Sequence, residues 1–158
     1  MQDNGARFNI DVTDTAVMRL GSSANMENVL DLVLPHPAGF RQVWSQQRGR
    51  RQFFAWQPIP PSQDFVALGM VGSNSAEQPS VACVRCVPLK WCIPTEVKPF
   101  KIWDDSGSAT GGRRGSVWAV NSMHLIWITP GHDPPPGPFY ELFNDQFTIT
   151  PDLVSKNL

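Results

Sequence analysis

Between Phe40 and Pro134 the chain writes one order of landmarks twice. The first series runs Phe40-Arg41-Gln42-Val43-Trp44, a Gly49-Arg50-Arg51 loop, Phe53-Phe54-Ala55-Trp56, the apolar run Phe65 to Val71 and a stop at Pro79. The second runs Phe100-Lys101-Ile102-Trp103, Gly112-Arg113-Arg114, Val117-Trp118-Ala119-Val120, Leu125-Ile126-Trp127-Ile128 and Pro134. Each series is an aromatic-led segment ending in Trp, a basic turn, a second Trp, an apolar segment and a proline. Short strands joined by turns carry that order, and the near-equal separation of the two Trp pairs predicts two copies of one β unit. The same landmarks also arise without duplication in a Trp-rich β protein.

The 15 prolines and 12 glycines reinforce the β reading, because they interrupt long helices and leave short strands between punctuated turns. A chain of 158 residues is long enough for one core without staples. The expected layout is a lead-in over residues 1–7, one β domain over 8–150 with similar units at about 40–79 and 100–134, and a tail over 151–158. A net charge of −1 with mixed signs shows no footprint for nucleic acid. No run of about 18 apolar residues and no charged-then-apolar leader is present, so neither a spanning helix nor a retained signal is expected. Three cysteines, Cys83, Cys86 and Cys92, are an odd count for a disulfide framework and point to a reducing, cytoplasmic compartment.

Along the chain, Phe8, Ile10 and Val12 alternate as in a strand, and Thr15–Leu20 is ambiguous. Residues 25–34 read equally as the one short helix, with Met26, Val29, Leu30 and Val33 near one face, or as a strand stopped by Pro35. Phe65–Val71 reads as a buried strand. Val81–Leu89 alternates as a strand that sends Cys83 and Cys86 to opposite faces. Phe147–Thr150 is a closing strand. The sum is a mainly β, β-sandwich-like fold of about eight to ten short strands with at most one short helix.

No nucleophile elbow, phosphate loop or dinucleotide fingerprint occurs, and a non-enzymatic chain without a cofactor is expected. Cys83-x-x-Cys86 lies in a β-patterned run, which does not converge two thiols on zinc, and the cysteines read as free. Asp104 and Asp105, before Ser106-Gly107-Ser108, are a calcium candidate outweighed by an ordinary turn. A hydrolytic site would require His124 or His132 against a carboxylate in a cleft. Trp44, Trp56, Trp103 and Trp118 read first as core anchors, and Trp91, between Pro88 and Pro94, as the tryptophan expected to be exposed. The two Gly-Arg-Arg loops read as solvated, with phosphate or an acidic peptide as the functional option.

Trp56-x-Pro58-x-Pro60-Pro61, then Phe65-Val66-Ala67-Leu68-Gly69-Met70-Val71, Pro79-Ser80-x-x-x-Val84-Arg85-Cys86-Val87 and Phe100-x-Ile102-Trp103-Asp104-Asp105-Ser106-Gly107-Ser108 together resemble the Vps62-related module. That module is also found in the adaptor-binding region of the VPS13 family of lipid-transport proteins. The resemblance covers about residues 40–118 and departs after Trp118, where Ala119-Val120-Asn121-Ser122 replaces an Arg-Pro turn and Leu-Gly strand. It implies a recognition module of a membrane-trafficking protein that binds a short Pro-containing adaptor peptide, with membrane association through that partner and a place peripheral to organelle membranes. The residues expected to take the peptide, by an edge strand or by proline packing, are Trp56, Pro58, Pro61, Arg85 and Trp91. The alternative is a β-sandwich that binds carbohydrate or lipid headgroups with calcium at Asp104 and Asp105.

Overall fold

A computed structural model describes residues 23–107 and 112–143, with side chains from residue 28 onward. The expected elements at Phe8–Val12, Thr15–Leu20 and Phe147–Thr150, the lead-in and the tail lie outside the described residues.

The described chain is mainly β, with ten short strands in four small sheets, one α-helix and two 3-10 turns. Residues 25–34 resolve as helix: α1 spans Ser23–Val33, and Leu34 N still donates to Leu30 O at 2.7 Å before Pro35 ends the turn. Val33 is its buried contact with the body. Cys86 N donates to Pro35 O at 2.8 Å just beyond it, so the helix end is tied to the body by the backbone.

Two three-stranded antiparallel sheets follow the twice-written order. In the first, β1 (Gly39–Arg48) pairs with β2 (Arg51–Ile59), and β2 with β4 (Val71–Ser73). In the second, β7 (Phe100–Asp104) pairs with β8 (Gly115–Ala119), and β8 with β9 (Ile126–Pro130). Each sheet has one irregularity in register, just before the first Trp of its unit: between Gln42 and Trp44, and between Lys101 and Trp103. Such a bulge bends the strand and re-aims the side chain that follows. Trp56 stands opposite Gln42 and Trp118 opposite Lys101, so the tryptophans occupy matching places in the two sheets.

The sheets face each other across a core of Trp44, Ala55, Met70 and Ile128. Met70 stitches them together: its N–H donates to Ile126 O at 3.0 Å, and Ile128 N–H donates to its Sδ at 3.3 Å. Trp118, Val120 and Phe139 pack on the outer face of the second sheet, where the Trp127 and Phe139 rings meet edge-on at 5.1 Å.

The segment between the units departs from expectation. Phe65–Val71 does not form one strand; β3 (Phe65–Val66) stops after two residues and β4 begins at Val71. Val81–Leu89 is not a strand either. The Ser80 hydroxyl accepts from Ala82 N at 3.3 Å and caps a 3-10 turn over Val81–Cys83. Then β5 (Val87–Pro88) pairs with β3, and a second 3-10 turn over Leu89–Trp91 leads into β6 (Cys92–Pro94), which pairs with β10 (Tyr140–Leu142). All three cysteines are free: Cys83 is exposed, and burial pushes the Cys86 and Cys92 thiols up to about 11.

Candidate functional site

The five residues expected to hold a peptide do not form one surface. Trp56 and Pro58 share a face of β2 and are both buried there, and the Trp56 indole Nε1 donates to Ser73 Oγ at 2.9 Å. Pro61 is exposed in the turn after β2. Arg85 clamps the helix, donating to Asp31 Oδ1 at 2.8 Å and to Leu34 O at 2.7 Å. His36 completes that seam at 2.8 Å from Val84 O. Trp91 is a correction: it is 8% exposed, because the 3-10 turn carries its ring inward, and its carbonyl accepts from Phe143 N at 2.8 Å.

Asp104 and Asp105 turn to different partners. The Ser106 hydroxyl and N–H and the Lys101 ammonium, 3.1 Å away, hold the Asp104 carboxyl down at about 2. The His132 ring hydrogen-bonds the Asp105 carboxylate at 2.5 Å, lowers its pKa, and so joins the loops after β7 and β9. Among the described residues no group of three or more His, Cys, Asp or Glu gathers to hold a metal ion. His132 therefore has its carboxylate, but the nearby Ser116 hydroxyl is fully buried, donating to Gly131 O and accepting from Trp118 Nε1. His124 sits in the exposed turn between β8 and β9.

The exposed apolar surface lies instead on β7. This strand ends the β7-β8-β9 sheet, so one of its edges has no strand beside it among the described residues. Phe100 is 71% exposed, Ile102 54% and Trp103 42%. The contrast with the first unit is a matter of counting. Three residues separate Phe40 from Trp44, but only two separate Phe100 from Trp103. Phe40 stands opposite Pro58, two residues past Trp56, and faces the same way as Trp56. Phe100 stands opposite Ala119, one residue past Trp118, and faces the other way. Phe40 is 6% exposed, whereas Phe100, at the Ala119 end of the second sheet, is 71% exposed. The missing residue is visible in the sequence, but matching aromatic to aromatic conceals it.

A charge on an edge strand usually guards it against pairing. On β7 that charge is diverted, since Lys101 binds Asp104 and lies 5.1 Å over the Trp118 ring.

The second exposed feature is basic. The β1–β2 turn presents Arg48, Arg50 and Arg51, and Arg113 and Arg114 lead into β8; all five are exposed. Both groups lie toward the same end of the two sheets: Trp44 Nε1 donates to Arg113 O at 2.9 Å, and Met70 meets Ile126 toward the other end.

A comparison with curated proteins finds no match. Among solved structures, the chain is similar to the crystal structure of GNIP1Aa from Chromobacterium piscinae, with a TM-score of 0.53 and 23% identity. The match covers 66% of this chain and 22% of that one, and it is a likeness of fold. The family model described as vacuolar protein sorting-associated protein 62 matches residues 14–122, from upstream of α1 through the first sheet to the residues just past β8. The chain belongs to the Vps62 family.

Proposed function

We propose that this chain is a non-enzymatic interaction module of a vacuolar-sorting protein, and that the edge of β7 accepts a short Pro-containing adaptor peptide as an added strand. The carrying observation is an edge strand whose side chains Phe100, Ile102 and Trp103 are all exposed while its one lysine is engaged elsewhere. In strand addition, main-chain hydrogen bonds supply affinity and side chains beside the edge supply selection. Phe100 and Trp103 offer aromatic faces against which a proline ring packs. Partner binding of this kind places the module in the cytoplasm, peripheral to organelle membranes through its adaptor. Membrane-spanning is not its means of attachment in this reading; none of the described helices is long and apolar enough to cross.

The test is a pull-down from cell extract with the full chain and with an F100S/I102T variant, read by mass spectrometry. Proteins with Pro-containing linear motifs are enriched by the wild type and lost with the variant. Equal recovery by both removes β7 as the site.

A further inference from the structure

We propose that the arginine-lined end formed by the β1–β2 turn and the chain entering β8 is a second binding site, for a densely anionic peptide segment bearing phosphorylated or clustered carboxylate side chains. This site is independent of the β7 edge.

A local rule is broken here without a counter-charge among the described residues. Arg48 and Arg51 are directly opposite each other across the hairpin. Like charges at opposed positions of an antiparallel pair destabilise it. Arg50 adds a third charge in the turn between them. Among the described residues none of these three, nor Arg113 or Arg114, is ion-paired; the arginine that is paired, Arg85, lies on the helix seam. The carboxylates of the adjoining loop are committed elsewhere, Asp104 to Lys101 and Ser106, and Asp105 to His132. Repulsion kept in a chain of net charge −1 marks a place where an external anion completes the balance.

Counting by twos from Trp44, Arg48 lies on the face of β1 that carries Trp44, which looks toward the second sheet; Arg51, opposite Arg48, shares it. From the other side, Arg113 and Arg114 are held by their backbones: Arg113 O accepts from Trp44 Nε1 at 2.9 Å and Arg114 O from Gly131 N at 2.7 Å. Two arginine pairs thus flank one end from two anchored segments. Guanidinium forks bind phosphate and carboxylate in two-pronged fashion, which lysine does not.

The shape selects the partner. Neither Arg48-Gly49-Arg50-Arg51 nor Gly112-Arg113-Arg114 contains an apolar side chain to enter a bilayer. The basic surface is confined to two short segments, unlike the long track a nucleic acid requires. An extended peptide with two or more anionic groups reaches both.

The experiment uses the full chain and three fluorescein-labelled octapeptides of one Gly/Ser frame, carrying two phosphoserines, four glutamates or no charge. Fluorescence polarisation is measured for the wild type and for R48Q/R51Q and R113Q/R114Q, with co-sedimentation on phosphatidylcholine vesicles containing phosphatidylserine in parallel. The charged peptides bind and the neutral one does not, each double variant weakens binding by about tenfold or more, and added salt weakens the wild type. Binding of the phosphoserine peptide alone assigns the site to phosphate; binding of both assigns it to charge density. R48Q/R51Q melts at or above the wild-type temperature, since it relieves the opposed pair. The F100S/I102T variant retains the binding, which separates this site from the β7 edge. Unchanged affinity in the arginine variants, binding of vesicles without peptides, absence of any binding, or a lowered melting temperature in R48Q/R51Q overturns the proposal.

Discussion

The indole of Trp44 occupies the space that a β-carbon on Gly115 would need: an atom built there lies inside contact distance of Cε2, Cζ2 and Nε1 of the ring. One tryptophan of the first sheet thereby closes against the first residue of β8 in the second. The same indole donates to Arg113 O, so ring position and loop position are coupled.

Gly115→Ala therefore displaces the indole and loosens the hydrogen bond to Arg113. The expected cost is about 2–3 kcal/mol, within the range of core overpacking, and denaturant unfolding followed by Trp fluorescence measures it.

The two leading phenylalanines separate in the same assay. Phe40→Ala removes a buried ring and costs about 3–5 kcal/mol, whereas Phe100→Ser changes stability by less than about 0.5 kcal/mol. Similar losses at both positions would mean that Phe100 is covered in solution.

His124 closes the turn between β8 and β9 with φ at +56°, where its N–H donates to Asn121 O at 2.9 Å. A side chain in this left-handed conformation is strained, and glycine adopts it freely at some entropic cost in the unfolded chain. His124→Gly is expected to stabilise the protein by about 0.5–1 kcal/mol, read as a raised thermal midpoint.

Glu141 ties the end of the described chain to two loops. It accepts from Thr95 Oγ1 at 2.7 Å, Ser122 N at 2.6 Å and Ser122 Oγ at 2.5 Å. Burial pushes its carboxyl up, but the Ser122 and Thr95 hydrogen bonds outweigh that and leave it below the ordinary 4.5. A depressed carboxyl contributes stability that is full above the unfolded value and is lost as pH falls through the folded one. The melting advantage of the wild type over Glu141→Gln is thus constant above about pH 5 and shrinks as the pH drops below 4.5.

Thiol reactivity distinguishes the cysteines. Cys83 is exposed and reacts with a disulfide reagent at neutral pH, while Cys86 and Cys92, each raised to about 11, react only on unfolding. A single fast thiol in the native protein and three in denaturant are the expected counts.

The β class and the burial of Trp44, Trp56 and Trp118 were legible because large apolar residues at strand spacing leave few alternatives, whereas Trp103, read as a core anchor, is 42% exposed on the edge strand. The link between the sheets was not, because local hydrogen bonding and chain reversal decided it. Val81–Leu89 alternates like a strand, yet the Ser80 cap outcompetes a ladder for the backbone donors. Trp91 has the flanking prolines of an exposed residue, and the 3-10 turn that follows Pro88 turns it inward. Arg85 has the look of a binding residue on a strand and is the clamp of α1. Pairing in space also separated the expected site: Trp56 and Pro58 are buried on the face of β2 away from Ala55, opposite Gln42 and Phe40. The β7 edge was hidden by a single residue of spacing.

That residue has the character of a parity bit. In an element with period two, a substitution alters one site, but a change in length by one inverts every site on the far side of it. The two sheets keep the same strand order and the same bulge, and differ in whether the leading aromatic is odd or even relative to its tryptophan. Adding one residue between Phe100 and the bulge would turn that ring to the Trp118 face and take it from the apolar edge that Ile102 and Trp103 share, without altering any existing side chain. Insertions and deletions, more than point replacements, are then the changes by which a chain built this way gains or loses a surface.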